Sequence, residues 1–110
     1  IIFLYLSMTK ELTKEKFNEF IKKGVVLIDF HAHWCMPCVM MSPIVDEISK
    51  KFRGKIKVGK INIDENNELA QKYNIRSIPS FIIFIDSKIA DQFVGAISKE
   101  ELEKKIKKYL

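Results

Sequence analysis

The chain has 110 residues, 47% of them hydrophobic and 30% charged, which is the size and composition of one globular domain. Its formal net charge is +5, and all but two of its 19 basic residues are lysines. Nucleic-acid surfaces favour clustered arginine with interleaved aromatic residues, so this charge does not indicate nucleic-acid binding. The two cysteines, three positions apart, argue against a secreted disulfide scaffold. They indicate redox chemistry or metal binding in a reducing compartment.

The first seven residues are apolar except for Ser7, yet this stretch is much too short to span a bilayer. It lacks the basic region and the small-residue cleavage site of a complete signal peptide, and Met8 follows it directly. We expect residues 1–110 to form a single domain in the cytoplasm with no membrane contact. Within it, residues 1–7 are either an N-terminal extension or, as we favour, an edge strand.

A helix and a buried strand are the first elements predicted after this segment. Thr13 is a suitable N-cap, Gly24 stands where a helix C′ residue would, and the residues between them repeat with a helical period. From Val25 to Phe30 the chain is apolar except for Asp29, a pattern typical of a strand buried on both faces.

A long helix, a second strand and a short helix follow in the middle of the chain. The helix begins near Cys35 and the strand covers residues 56–63. Asn66 is placed to cap the short helix, and Asn74 to end it in the left-handed conformation.

The last third of the chain predicts a hairpin and a final helix. Two strands, Phe81–Ile85 and Ile89–Val94, are joined by Asp86-Ser87-Lys88. Ser98-Lys99-Glu100-Glu101 is a capping box that opens the helix. The inner face of this helix is expected to carry Leu102, Ile106, Tyr109 and Leu110. The alternation of elements predicts one α/β domain in which helices cover a mixed sheet.

Both cysteines lie where the first buried strand meets the long helix, in Cys35-Met36-Pro37-Cys38. Cys35 falls at the helix N-terminus, where unpaired N–H groups and the helix dipole stabilise an anion and lower the pKa of a thiol. Cys38 lies one turn further on the same face, at a separation that suits a disulfide. Pro37 falls in the first turn, where a missing N–H costs little. The arrangement predicts a dithiol in which Cys35 attacks and Cys38 resolves.

Five separated blocks, in the same order, resemble the thioredoxin family over Leu12 to Leu110. They are Val26-Leu27-Ile28-Asp29-Phe30, Ala32-x-Trp34-Cys35-x-Pro37-Cys38, Lys60-Ile61-Asn62-Ile63-Asp64, Ile75-Arg76-Ser77-Ile78-Pro79-Ser80 and Val94-Gly95-Ala96. The resemblance implies the thioredoxin fold, a central mixed β-sheet flanked by about four helices. It also implies an electron carrier that reduces protein disulfides by thiol–disulfide exchange and whose own cysteine pair serves in place of a cofactor.

The same resemblance gives roles to two ionisable residues. It implies that Asp29 is the proton acceptor that helps Cys38 act as the resolving thiol, and that Lys60 tunes Asp29. A carboxylate in an apolar strand is costly unless it is partnered or has a raised pKa. The alternative is a structural Asp29 with satisfied hydrogen bonds.

The resemblance further implies a cis Pro79 beside the two sulfurs, where Ile78 and Pro79 would present backbone groups to an extended substrate segment. A trans proline that starts a strand is the alternative. Gly95 suits a place where a partner chain approaches closely. The apolar docking surface around the sulfurs would comprise Trp34, Met36, Pro37, Ile78, Gly95 and Ala96.

Two positions next to the cysteines depart from the family pattern. Met36 stands where glycine is usual, and His31 stands where an aromatic residue, commonly tryptophan, is usual. Because both flank the sulfurs, they leave the reduction potential and the choice of partners open.

Three other functions are compatible with parts of the pattern. A zinc module would draw its ligands from eight consecutive residues, whereas structural zinc sites usually take pairs from separate segments. Its ligands would be His31, His33, Cys35 and Cys38.

A non-enzymatic binding module of the same fold is disfavoured by the intact dithiol together with Asp29 and Pro79. A disulfide oxidase or isomerase would use the same chemistry in the other direction. The lack of an evident export signal and of further cysteines favours the reductant.

The resemblance also implies the partners of a protein that reduces disulfides. Upstream it implies a flavin-dependent thioredoxin reductase that returns electrons to the cysteine pair. Downstream it implies protein disulfides, for example those of peroxiredoxins or reductases. No metal is expected.

Overall fold

A computed structural model describes residues 9–110, so the extension or edge strand predicted for residues 1–7 lies outside the described residues. The strands are β1 (Lys10–Glu11), β2 (Val25–His31), β3 (Ile56–Asn62), β4 (Ser80–Ile85) and β5 (Lys88–Val94). The helices are α1 (Lys14–Phe20), α2 (Met36–Lys51), α3 (Asn67–Lys72) and α4 (Lys99–Lys107). The strands form one sheet in the order β1-β3-β2-β4-β5. The predicted α/β fold, a mixed sheet with four helices, is confirmed.

Strand β2 lies at the centre of this sheet and leads directly to the cysteines. It pairs in parallel with β3 and antiparallel with β4, while β1 extends the parallel part and β5 the antiparallel part. All its residues after Val25 are buried, as the continuous apolar run predicts. No helix within residues 9–110 is long and apolar enough to cross a membrane.

Alternating side chains of the sheet enter two separate hydrophobic cores. One core packs Leu27, Val58 and Phe81 against α2 and α4, with Met41 and Ile106 among the helix residues. The other core lies on the opposite face, and its members include Phe17, Val26, Ile28, Phe30 and Leu69. Asp29 interrupts β2 on the face that α2 covers, since it follows Leu27 by two residues.

Local signals placed several chain reversals correctly and missed others by a few residues. Asn74 has φ 55°, the left-handed conformation predicted for it at the end of α3. The hairpin turn is Asp86-Ser87, with φ of 48° and 73°, one residue shorter than expected because Lys88 already pairs in β5. Gly24, with φ 77°, lies in the turn into β2 and is not the C′ residue of α1, which ends at Phe20.

The final helix forms as its capping box predicts. The Ser98 side chain accepts a hydrogen bond from the backbone N–H of Glu101 at 3.1 Å. Leu102 and Ile106 are buried as expected, whereas Leu110 follows the end of α4 and is exposed. Tyr109 also follows the end of α4 but is half-buried and packs against the core, so the predicted helical period extended past the last turn.

Candidate active site

The two cysteines lie between the carboxyl end of β2 and the first turn of α2. Cys35 is the N-cap of α2, and its Sγ accepts the backbone N–H of Cys38 at 3.2 Å. The two residues form a disulfide with a Cα–Cα distance of 5.2 Å, and both are buried. The prediction that Cys35 stands at the helix N-terminus is confirmed.

This position determines which sulfur carries negative charge more easily after reduction. The first turn of α2 contains no acidic residue, so nothing within it opposes the partial positive charge at the helix N-terminus. A thiolate at Cys35 receives that field together with the N–H of Cys38, and both lower the pKa of a thiol. Cys38 lies inside the helix.

The loop before β4 approaches the disulfide from the other side. The Ile78–Pro79 peptide bond is cis, and the carbonyl oxygen of Ile78 lies 3.8 Å from Cys35 Sγ. Since the sulfur carries no proton in the disulfide, this is a contact and not a hydrogen bond. Pro79 is buried, and its carbonyl accepts the N–H of Gly95 at 2.8 Å. Ile78 is the residue of this loop that keeps partial exposure beside the sulfur.

Several of the apolar residues predicted to dock substrate are exposed on the protein surface. Trp34 and Met36 are 70% and 68% exposed, and Pro37 and Ala96 are exposed as well. The exposed apolar surface also continues along α2 to Met40, which is 71% exposed. That extension was not predicted, although the absence of any charge between Trp34 and Val45 is a sequence signal for it.

The indole of Trp34 has a fixed polar partner. Its Nε1–H donates to Asp64 Oδ2 at 2.9 Å, and the backbone N–H of Asp64 in turn donates to Asn62 Oδ1 at 2.9 Å. Asp64 belongs to one of the sequence blocks noted above, but no pattern pointed to this role because 30 residues separate it from Trp34.

Asp29 is fully buried, and neither of its carboxylate oxygens has a hydrogen-bond partner among residues 9–110. Burial raises the pKa of Asp29 to about 6. The charges of His31 and Lys60 oppose this rise, whereas those of Glu11 and Asp46 add to it. The alternative of a structural aspartate with satisfied hydrogen bonds does not agree with this environment.

Lys60 stands directly opposite Asp29 in the parallel pairing of β2 and β3. It is buried, and its Nζ donates to Ser42 Oγ of α2 at 2.8 Å. One turn further along α2, Asp46 accepts hydrogen bonds from both the backbone N–H and the side chain of Thr9. A layer of polar and ionisable groups therefore lies between the sheet and the helix that carries the cysteines.

His31, the first departure from the family pattern, is buried at the end of β2. Its Nε2 lies 2.8 and 3.1 Å from the two carboxylate oxygens of Glu11, and its ring contacts that of His33 edge to face. Within residues 9–110 no group of three or more histidine, cysteine and acidic residues is arranged to hold a metal ion. The imidazole of His31 is engaged by a carboxylate instead.

Comparison with known proteins agrees with this geometry. The family model described as Thioredoxin matches residues 8–108. A thioredoxin of Synechocystis is 44% identical over 107 residues, which are 96% of this chain and 100% of that protein. A thioredoxin of Buchnera aphidicola is 46% identical over 95 residues, 84% and 88% of the two chains. A chloroplastic M-type thioredoxin of Pisum sativum is 47% identical over 85 residues, 77% of this chain and 49% of that protein. The chain therefore belongs to the thioredoxin family of disulfide reductases, in which a Cys-x-x-Cys pair such as Cys35 and Cys38 is the redox group.

Proposed function

We propose that this protein reduces disulfides of other proteins with Cys35 as the attacking thiolate, Cys38 as the resolving thiol and Asp29 as the acceptor of the Cys38 proton. The observation that carries these roles is the place of Cys35 as N-cap of α2, with its sulfur 3.2 Å from the N–H of Cys38. Only one of the two sulfurs has the helix terminus to stabilise its anion.

The first step is a nucleophilic substitution at sulfur. The Cys35 thiolate attacks one sulfur of the substrate disulfide, a new S–S bond forms, and the substrate S–S bond breaks. The leaving substrate sulfur departs as a thiolate and takes up a proton from solvent. The field at the α2 N-terminus favours this step by raising the thiolate fraction of Cys35 near neutral pH.

The second step resolves the mixed disulfide. The Cys38 thiol loses its proton to Asp29, and the resulting thiolate attacks Cys35 Sγ. The Cys35–Cys38 disulfide forms while the second substrate sulfur leaves as a thiolate, so the substrate gains two electrons and this protein loses two. A carboxylate with a pKa of about 6 is a better proton acceptor than an ordinary aspartate, because its affinity for protons lies closer to that of a thiol.

Substrate docking uses the apolar surface around the sulfurs. We assign this role to Trp34, Met36, Pro37, Ile78, Pro79, Gly95 and Ala96, with Ile78 offering backbone groups to an extended segment. The exposure of Trp34 and Met36 supports it, since large apolar side chains that face water in a cluster mark interaction sites. Lys60 contributes through its charge on Asp29 and not through contact with substrate.

A reductase must return two electrons to the disulfide after each cycle, and we assign this step to a thioredoxin reductase. Peroxiredoxins and other reductases with an intermediate disulfide are the substrate class we propose. The presence of only two cysteines supports a reducing compartment, the cytoplasm, as the place of action.

Two serine variants test the division of labour between the sulfurs. Cys35→Ser should abolish reduction of the insulin disulfides, whereas Cys38→Ser should attack once and remain trapped as a mixed disulfide detectable by mass. Normal turnover by Cys38→Ser, or trapping through Cys38 in Cys35→Ser, would reverse the assignment. The reduction potential against a glutathione couple then separates a reductase from an oxidase or isomerase.

A further inference from the structure

His31 and Glu11 form a hydrogen-bonded pair that bridges the sheet beside the active site. His31 is the last residue of β2 and Glu11 the last of β1, with β3 lying between these two strands. The His31 Nε2 is 2.8 Å from one carboxylate oxygen and 3.1 Å from the other. The His31 side chain is 8% exposed and that of Glu11 is 48% exposed, so the pair connects the interior to the surface.

The strand pairing places this pair on the same face of the sheet as Asp29. His31 follows Asp29 by two residues in β2, so both side chains point toward α2. Glu11 is opposite Lys60 in the pairing of β1 with β3, and Lys60 is opposite Asp29 in the pairing of β3 with β2. Residues directly opposite in neighbouring strands share a face. Asp29, Lys60 and Glu11 therefore form one row across β2, β3 and β1, and His31 lies two residues beyond Asp29 along β2, opposite Asn62.

We propose that the His31–Glu11 pair is a positioning pair for the reducing reaction, one that governs the protonation of Asp29 and through it the rate at which Cys38 resolves the mixed disulfide. This inference rests on the proposed role of Asp29 as proton acceptor. Both residues of the pair act through their charges on Asp29.

Burial has the largest effect on the protonation of Asp29, and nearby charges modify it, because no hydrogen bond from residues 9–110 reaches its carboxylate oxygens. Strand β4, which pairs with β2 at Asp29, places the apolar Phe81 opposite it, so the charged groups around Asp29 come from four other places in the fold. They are Lys60 of β3, His31 of β2, Glu11 of β1 and Asp46 of α2. Partial burial alone would raise the pKa of Glu11, but the hydrogen bond and charge of His31, together with the charges of Lys60 and His33, hold that pKa below its usual value. On Asp29 the two partners act in opposite directions, because the charge of His31 lowers its pKa and that of Glu11 raises it.

Removing one partner exposes the charge of the other. His31→Phe, which installs an aromatic ring of the kind usual at this position, leaves the Glu11 carboxylate without its imidazole. The pKa of Asp29 should then rise by about half a unit or more, because a like charge disfavours the charged form. Adding Glu11→Gln to His31→Phe removes that charge as well and should return the pKa of Asp29 close to its starting value. This reversal distinguishes an electrostatic role from a packing role.

The titration is measured directly by NMR on the side-chain carboxyl carbon of Asp29 in the oxidised protein. His33→Phe is the matched control, since the ring of His33 contacts His31 but His33 is exposed. It should leave the Asp29 midpoint unchanged. His31→Gln, which keeps a hydrogen-bond donor for Glu11 without a charge, replaces His31→Phe if the latter does not fold. Asp29 midpoints equal in the wild type, His31→Phe and the double variant would overturn the inference.

The pH profile of the resolving step separates this inference from the proposed function. Its midpoint should follow the NMR midpoint of Asp29 upward in His31→Phe and back in the double variant. If Asp29 titrates differently in the variants but the resolving rate does not follow, the role of Asp29 as acceptor is wrong and the inference falls with it. If the wild-type rate follows Asp29 but His31→Phe alters neither midpoint, only the inference fails.

Discussion

Asp29 and Lys60 stand opposite each other in neighbouring parallel strands, yet the ammonium group of Lys60 donates to Ser42 Oγ, and both oxygens of Asp29 lack a hydrogen-bond partner among residues 9–110. Lys60 therefore acts on Asp29 by its charge and not through a hydrogen bond. That attraction is too weak to offset burial, and the pKa of Asp29 rises to about 6 as a result.

Because the pKa of Asp29 is raised, its contribution to the stability of the fold should fall as pH rises. The folded-state pKa of Asp29 is about 6 against an ordinary value of 3.8, so the native protein holds this proton more tightly than the unfolded chain does. Its contribution to stability is complete below pH 4 and is lost as pH rises through about 6, at a cost on the order of 3 kcal/mol. Asp29→Asn, which does not titrate, should be more stable than the wild type at pH 8 by a few kcal/mol.

Urea unfolding of both proteins at pH 4 and pH 8 measures this difference. The amide introduced by Asp29→Asn would be buried and unsatisfied at both pH values, so its cost cancels when the two stability differences are compared. The stability gain of Asp29→Asn should shrink by on the order of 3 kcal/mol on going from pH 8 to pH 4. An equal gain at both pH values would show that the ionisation of Asp29 does not destabilise the fold.

Asp29→Asn should also separate the two chemical steps. The initial attack by Cys35 depends on the helix terminus and should keep nearly its wild-type rate. The resolving step loses its proton acceptor and should slow by roughly 10²-fold or more at neutral pH. Rapid-mixing kinetics that follow formation and decay of the mixed disulfide measure both rates. An unchanged decay rate would remove Asp29 from the mechanism.

Lys60→Gln tests the charge opposite Asp29. Glutamine keeps an N–H donor on a slightly shorter side chain, so the variant removes the positive charge with little change in packing. Because the charge of Lys60 lowers the pKa of Asp29, its loss should raise that pKa and shift the pH dependence of the resolving step upward. Ser42→Ala, which removes the partner but keeps the charge, is the control and should shift it much less. Equal shifts in the two variants would indicate a packing effect.

Local sequence signals predicted most of this fold, because caps, turns and periodicity depend on near neighbours. Thr13 and Ser98 begin helices where expected, and Cys35 caps α2. The pairs that shape the site were not predicted. Trp34 with Asp64, and His31 with Glu11, join residues that are 30 and 20 positions apart. Such pairs depend on strand order and register, which no periodic pattern encodes.

Asp64→Ala should free the indole of Trp34 at the edge of the docking surface. The lost hydrogen bond, 2.9 Å in the structure, is exposed and should lower stability by no more than about 1 kcal/mol. The greater effect should be on the mobility of the indole ring. Trp34 is the only tryptophan, so its fluorescence anisotropy reports on this ring alone. Anisotropy should fall in Asp64→Ala and be kept in Asp64→Asn, whose carbonyl still accepts the bond. Equal anisotropy in all three proteins would mean that the bond does not hold the ring.

Met36 is the second departure from the family pattern and the first residue of α2, where its side chain is 68% exposed. Compared with glycine, methionine favours the helical conformation by roughly 0.8–1 kcal/mol. That first turn is expected in both the oxidised and the reduced protein, so most of the gain cancels from the redox equilibrium. What remains is partial shielding of the Cys35 thiolate from water, which disfavours the anion slightly.

Met36→Gly should therefore alter the reduction potential by less than about 30 mV, since a shift of that size needs about 1.4 kcal/mol of differential stabilisation. Its main effect should be on which protein disulfides are reduced and how fast, because a flexible, polarizable thioether adapts to varied apolar partners. The control is Met40→Gln, which replaces a second exposed methionine of α2, one turn away from Met36. Potentials measured against glutathione are to be compared with rates on several protein disulfides. A large potential shift with the same rate change for every substrate would contradict this account, because shielding of the thiolate would then outweigh docking.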